Sequence, residues 1–147
     1  MIRGYFGGYP ERRRPFVVAN LSLPTIGIDG TVHFLVDTGA DSTLLAPRDV
    51  ISLGLDVGHL PQDTPTTGVG GRTATRSAEA ALTLDAITLT IRLRILSPAS
   101  PRQQQALSVI PSLLGRDILS HFALFLEERT DRVLLLEQHE AGALNLP

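Results

Sequence analysis

The chain has 147 residues, of which 43% are hydrophobic, and a formal net charge of −2. This size and composition are typical of one globular domain with its own apolar core. Cysteine is absent, which excludes disulfides, a thiolate nucleophile and a cysteine-based zinc site. The small net charge gives no reason to expect nucleic acid as a partner.

The sequence contains no candidate for a membrane span. No stretch approaches the roughly 18 consecutive apolar residues that such a helix needs. The first ten residues lack the apolar segment of a secretory signal peptide. We therefore expect a soluble, cytoplasmic protein that makes no membrane contact.

The predicted elements are mostly short strands, and they divide the chain into three parts. Residues 1–15 are rich in Gly, Arg and Pro and are predicted to form a flexible arm. Residues 16–137 form the folded domain, and residues 138–147 are a C-terminal tail that frays. Strands are predicted at 16–23, 31–36, 73–82, 89–95, 122–126 and 132–136, and short helices at 47–53 and 116–121.

Hydrophobic periodicity is clearest in Leu89–Ile95, where apolar and polar residues alternate strictly. This pattern predicts an amphipathic strand with Leu89, Ile91, Leu93 and Ile95 facing inward. Residues 97–105 are polar and contain proline, and are predicted to be a loop. Many strands and two short helices indicate an all-β fold with a small barrel-like sheet.

The segment Val36-Asp37-Thr38-Gly39-Ala40 follows the apolar strand that begins before Phe34. A buried ionised carboxylate costs several kcal/mol unless it is hydrogen-bonded or paired. Thr38 supplies a hydroxyl, and Gly39 allows a tight turn and a close backbone approach. An aspartate in this position is expensive for stability, which indicates a chemical role.

Two further segments accompany Asp37. A glycine-rich turn lies at 67–71, and Leu113-Leu114-Gly115-Arg116 follows further along the chain. In this order and spacing the three segments resemble the retropepsin-like aspartic proteases, single-lobe relatives of pepsin, over roughly residues 16–136. The resemblance implies a closed barrel with a flap hairpin. The chain continues past its last motif with an extra hairpin, which is more similar to the cellular and bacterial members than to the viral ones.

The resemblance implies a peptide-bond hydrolase that uses two aspartates and a water, without a metal or organic cofactor. One carboxylate accepts a proton from the attacking water, and the other hydrogen-bonds the scissile carbonyl. This chain contains a single Asp-Thr-Gly. An active enzyme would therefore be a homodimer with Asp37 from each subunit at the two-fold axis.

The resemblance also assigns roles to neighbouring residues. Asp37, Thr38 and Gly39 would form the catalytic loop, with the two Thr38 hydroxyls bonded across the dimer axis. Asp41 would form a bidentate ion pair with Arg116. Peptide substrate would contact Ala40, Asp41, Gly68, Val69, Gly70 and Ile110, while Leu113, Leu114, Gly115 and Arg116 would support the loop.

Other interpretations remain open. The fold could be retained as a catalytically silent dimer that binds peptide segments under its flap. Gly68–Gly71 lacks the spaced glycines and following helix of a nucleotide-binding loop. The histidines at 33, 59, 121 and 139 show no metal-ligand spacing, and His33 is expected at a surface or edge. Asp117 is expected at the start of a short helix, where a negative charge suits the helix dipole.

Overall fold

The computed structural model describes residues 1–8, 12–68 and 71–147. These residues form a three-stranded and an eight-stranded sheet with short helices between the strands. The strands are β1 (Ile2–Arg3), β2 (Tyr5–Gly7), β3 (Arg14–Leu23), β4 (Ile28–Val36), β5 (Leu44–Leu45), β6 (Gln62–Gly68), β7 (Gly71–Leu84), β8 (Ile87–Leu96), β9 (Ser112–Leu114), β10 (Ala123–Glu127) and β11 (Arg132–Leu136). The helices are α1 (Pro47–Ser52), α2 (Pro101–Leu107), α3 (Arg116–Leu119) and α4 (Gln138–Gly142).

The larger sheet is mixed and carries the site. Its strand order is β2-β3-β4-β9-β5-β8-β7-β6, and β3 also pairs with β7. The pairings therefore run from β3 through β4, β9, β5, β8 and β7 and return to β3. The pairs β4–β9 and β5–β8 are parallel, whereas the other pairs of this sheet are antiparallel. The mostly-β class predicted from the sequence is confirmed.

The core lies where the inward faces of these strands meet. On β8, Ile91 is 9% exposed and both Leu93 and Ile95 are 0% exposed, while Leu89 is partly buried against the same cluster. The predicted alternation of β8 is thus confirmed. Leu21 on β3 and Phe34 on β4 are both 0% exposed. Apolar area removed from water is the main stabilising contribution here, at about 25 cal/mol per Å².

Strands β6 and β7 form the hairpin that the glycine-rich segment predicts. Their register runs from Gln62↔Arg76 to Gly68↔Gly71. Gly71 has φ +89°, a backbone conformation that residues other than glycine rarely adopt. The predicted tip residues Val69 and Gly70 lie outside the described residues.

The terminal segments differ from the prediction of a flexible arm and a fraying tail. Ile2 is 3% exposed and pairs with Leu135, so that β1 is an edge of the smaller sheet β1-β11-β10. Strand β2 pairs with β3, and α4 occupies part of the predicted tail. Both segments therefore belong to the folded structure, because β1 and β2 pair with strands of the two sheets and α4 contacts β11.

The helices are short. Helices α1 and α3 lie where the sequence predicts them, whereas α2 occupies most of the predicted loop at 97–105. Its first residue is Pro101, and the Ser100 side chain accepts a hydrogen bond from the Gln103 backbone N–H at 3.2 Å. Within the described ranges, no helix combines the length and the hydropathy needed to cross a bilayer.

Candidate active site

Asp37 is placed by the pairing of β4 with β9. Val36 is in register with Leu114, and the Asp37 N–H continues that pairing by donating to the Leu114 carbonyl at 3.1 Å. The chain then turns, with the Ala40 N–H donating to the Asp37 carbonyl at 3.2 Å. The Asp37 side chain follows a strand end, so its direction is determined by the sheet.

The carboxylate of Asp37 is held by its own loop. Its Oδ1 accepts a hydrogen bond from the Gly39 N–H at 2.9 Å. Asp37 is half-buried, whereas Thr38 and Gly39 are exposed. Partial exposure lowers the cost of an ionised carboxylate relative to the buried position that the sequence suggests. The loop therefore presents an oriented acid to an open space.

Backbone contacts hold the second half of this loop against α3. The Arg116 N–H donates to the Ala40 carbonyl at 2.8 Å, and the Asp117 N–H donates to the Asp41 carbonyl at 3.2 Å. A Cβ added at Gly115 would lie 2.5 Å from the Ser42 carbonyl carbon. Only glycine allows this close approach, which explains the residue before Arg116.

Asp117 binds the loop directly. Its Oδ2 accepts from the Thr43 N–H at 2.9 Å, and its Oδ1 accepts from the Thr43 hydroxyl at 2.6 Å. Thr43 is 0% exposed, and its Oγ1 also accepts from the Gly115 N–H at 3.1 Å. The sequence suggests a helix-dipole role for Asp117, and the structure adds this connection between residues 74 positions apart. In the sequence, the only indication of this role is that Asp117 directly follows the Gly115-Arg116 pair.

The Asp41–Arg116 ion pair predicted from the resemblance is present. One guanidinium nitrogen, Nη2, donates to Asp41 Oδ1, so the predicted bidentate geometry is not found. The two side chains are 60% and 81% exposed, for Arg116 and Asp41 respectively. Solvent screening makes such a pair a weak brace. The backbone hydrogen bonds to α3 hold the loop more strongly.

An open cleft of about 620 Å³ lies between the Asp37 loop and the β6–β7 hairpin. Of the predicted site residues, the structure brings Asp37, Gly39, Ala40, Asp41, Gly68, Ile110 and Leu113 into its lining. Leu114 and Gly115 instead lie buried behind the loop. Thr67 and Gly71 of the predicted flap turn also line the cleft. The lining residues that the sequence did not indicate are Ser42, Leu44, Thr66, Thr73, Arg94, Leu96, Leu107 and Pro111.

Leu44 and Arg94 reach the cleft through long-range pairing. Leu44 is in register with Arg94 across β5 and β8, and with Leu113 across β5 and β9. Strand alternation predicts which residues share a face, but not which strand lies beside the Asp37 loop. Their place in the cleft could not be found from the sequence alone.

Among the described residues, one group of three potential metal ligands has its ligand atoms within 4.8 Å of one another: Glu137, His139 and Glu140. The chain's amino group lies 2.7 Å from Glu140 Oε1 and lowers the pKa of Glu140, with a further contribution from the Glu137 N–H. This cluster does not line the cleft. The cluster places His139 beside two carboxylates, which the histidine spacing in the sequence does not predict. The chain's amino group is already the cation bound to Glu140.

His33 lies on the exposed face of β4, as expected from the sequence. Its Nδ1 is 2.6 Å from the Tyr5 hydroxyl. Burial raises the pKa of Tyr5, against the opposing effect of Arg48, so the phenol is protonated at neutral pH. The contact joins β2 to β4 and leaves the cleft unchanged.

Comparison with known proteins agrees with this geometry. The family model described as aspartyl protease matches residues 24–118, more than half of the chain. Comparison with curated protein sequences found no match.

Two solved structures share the fold. EIAV protease complexed with the inhibitor HBY-793 is 24% identical, with a TM-score of 0.54 over 78% of this chain and 92% of its own. A retropepsin-like aspartic protease from Rickettsia conorii is 17% identical, with a TM-score of 0.58 over 88% of this chain and 95% of its own. The fold is therefore retropepsin-like. From the matched segment, which contains Asp37 and the Leu-Leu-Gly-Arg sequence, the chain belongs to the aspartyl protease family.

Proposed function

We propose that this protein is an aspartic endopeptidase that cleaves extended polypeptide segments as a homodimer, with one Asp37 from each subunit. The observation that carries the proposal is the oriented, half-buried carboxylate of Asp37 at an open cleft. The family membership supports the same chemistry.

The need for a second subunit follows from the acids of the cleft. Its lining contains Asp37 and Asp41, and Asp41 is ion-paired with Arg116. Water activation by this mechanism requires a second carboxylate that can donate a proton to the carbonyl oxygen. Asp-Thr-Gly occurs once in the chain. A second copy supplies the missing acid when its Asp37 loop meets the first across a two-fold axis.

The exposed loop suits such an axis. Thr38 and Gly39 are both exposed in the single chain. In the proposed dimer the Thr38 hydroxyls bond across the axis and hold the two Asp37 carboxylates close together. One of the two then carries the shared proton, because two ionised acids at about 3 Å repel strongly.

The reaction assigns one step to each acid. The ionised carboxylate accepts a proton from the attacking water, and the protonated one donates a hydrogen bond to the scissile carbonyl. The tetrahedral intermediate then collapses: the first carboxylate returns the proton it accepted from water to the amide nitrogen, the C–N bond breaks and the amine leaves. No metal or organic cofactor has a step in this scheme.

An extended substrate fits the architecture of the cleft. Strand β6 is an edge of the larger sheet, so its outer backbone groups are available to a peptide. Gly68 lies in the cleft lining at the end of β6, and the proposed role of the hairpin as a flap includes Val69 and Gly70. Closure of the hairpin would add main-chain hydrogen bonds and exclude water.

The test compares wild type with Asp37→Asn on a library of unstructured peptides between about pH 4 and about pH 7. The substitution keeps the size of the side chain and removes its ionisable group. We expect cleavage by wild type alone. Binding of peptides without cleavage by either folded, dimeric protein would instead identify a catalytically silent peptide-binding module.

A further inference from the structure

Arg94 stands out in the cleft because it is its one lining arginine among the described residues. It lies on β8, and its side chain is 23% exposed. It also lines an adjoining open pocket of about 510 Å³, together with Ser42. The two pockets therefore meet at Ser42 and Arg94, within the surface that a substrate side chain would contact.

The guanidinium of Arg94 is only partly used by the protein. Its Nη2 donates to the Thr64 carbonyl and, at 3.3 Å, to the Thr75 hydroxyl. Its buried Nε has no hydrogen-bond partner within the described ranges, and the nearest carboxylate oxygen, on Asp63, is 3.9 Å away. The guanidinium is thus held by a carbonyl and a hydroxyl, and no carboxylate within the described ranges pairs with it at close range.

The carboxylates near Arg94 are bound more closely by other groups of the protein. Asp63 is shared with Arg92, whose Nη2 lies 3.1 Å from the same oxygen. Asp117, which lines the adjoining pocket, is already engaged by three donors of the protein, from Thr43 and Ile118. Of the arginines near Asp63, Arg94 therefore has the weaker contact, at 3.9 Å against 3.1 Å for Arg92.

We propose that Ser42 and Arg94 form an acid-binding subsite, which selects substrates with a Glu or Asp side chain at one position beside the cut bond. This inference rests on the proposed function. The aliphatic neighbours Leu44 and Leu96 also line the cleft and would contact the side-chain methylenes. A substrate carboxylate at the Arg94 guanidinium gains a charge-assisted hydrogen bond. A substrate lysine at the same position cannot form this bond with Arg94.

Binding can be measured without cleavage in the Asp37→Asn background. Fluorescent peptides that carry Glu, Gln or Lys at each position in turn are titrated by anisotropy. At one position we expect Glu to bind about tenfold more tightly than Lys, with Gln between them. Since the contact is electrostatic, the Glu-to-Lys affinity ratio of the protein with Arg94 intact should decrease as the salt concentration rises from about 0.05 M to about 0.5 M.

Substitution then assigns the preference to one residue. Arg94→Met should bring the Glu-to-Lys affinity ratio to about one. Arg94→Lys keeps the charge and should retain part of the preference for Glu. The matched control is Arg92→Met, because Arg92 contacts the same Asp63 and lines only the adjoining pocket, not the cleft. The control should leave the ratio unchanged.

The outcomes separate this proposal from the proposed function. Peptide binding with equal affinity for Glu and Lys, or a ratio unaffected by salt, overturns the subsite and leaves the endopeptidase standing. An equal loss in Arg92→Met and Arg94→Met also overturns it, because general charge would then explain the preference. If wild type cleaves no peptide but binding still prefers Glu and requires Arg94, the subsite is supported and the proposed endopeptidase activity is overturned.

Discussion

Thr43→Val removes one buried hydroxyl at the junction between the Asp37 loop and α3. Thr43 is 0% exposed, and its Oγ1 donates to Asp117 Oδ1 at 2.6 Å and accepts from the Gly115 N–H at 3.1 Å. Valine keeps the shape of the side chain but leaves the Gly115 N–H without its acceptor. The substitution therefore tests the hydrogen bonds and not the packing.

The expected cost follows from those two contacts. A hydrogen bond to a charged group contributes about 1.5 to 3 kcal/mol, and a buried donor left unpaired costs about 1 to 3 kcal/mol. Asp117 keeps the N–H groups of Thr43 and Ile118, at 2.9 Å each, which limits the loss. We therefore expect the free energy of unfolding to fall by about 3 kcal/mol.

The assay is urea unfolding at one fixed protein concentration, since dimerisation would make stability concentration-dependent. Thr43→Ser keeps the hydroxyl and loses one methyl group, so it should cost only about 1 kcal/mol. Thr83→Val is a second control, because its hydroxyl bonds an exposed partner, Thr88. If Thr43→Val is no less stable than Thr43→Ser, the reasoning about this network is refuted.

Three further changes have expected outcomes. Gly115→Ala places a Cβ 2.5 Å from backbone and should cost more than about 3 kcal/mol in urea unfolding, whereas Gly142→Ala meets nothing within 4 Å and should be neutral; equal effects would contradict the close approach. Arg116→Met should cost less than about 1 kcal/mol, because its pair with Asp41 is exposed; a larger loss would show that the pair is a strong brace. The ion pair with the amino group lowers the pKa of Glu140 below 4.5, so the stabilisation from this pair is present above the unfolded-state pKa and is lost as pH falls through the folded-state pKa. Glu140→Gln should therefore lower Tm at about pH 7 and match wild type in strong acid. A difference in Tm that persists in strong acid would contradict the ion pair.

The elements predicted correctly from the sequence are those with strong local signals. Strand β8 alternates strictly because one face of it meets the core and the other does not. Helix α1 begins at Pro47, a residue that favours the first helical turn. In both elements the local sequence and the tertiary environment favour the same structure.

Two elements differ from the sequence-based expectation, and each has its own physical reason. Strand β1 has two residues, Ile2 and Arg3, and exists because β11 lies beside it. Helix α2 had a local signal, since Ser100 precedes Pro101 and caps the helix, but the polar composition favoured a loop. A short edge strand cannot be predicted without its partner, whereas the capped helix could have been.

The candidate site divides in the same way. Asp37 and Arg116 lie in recognisable motifs, and their placement beside one loop agrees with the prediction. The roles of Asp117 and Arg94 depend on contacts with Thr43 and Thr64, 74 and 30 residues away along the chain. Alternation and motif spacing contain no information about such pairs, because sheet topology alone brings them together.

Mixing subunits tests the central claim, that two Asp37 carboxylates from two chains form one active centre. Wild type and Asp37→Asn are refolded together at equal amounts and constant total protein, and peptide cleavage is compared with wild type alone. Random pairing leaves about one quarter of the dimers with both carboxylates, so the account predicts about one quarter of the activity. Retention of about one half would show that each Asp37 acts by itself, and would contradict the account.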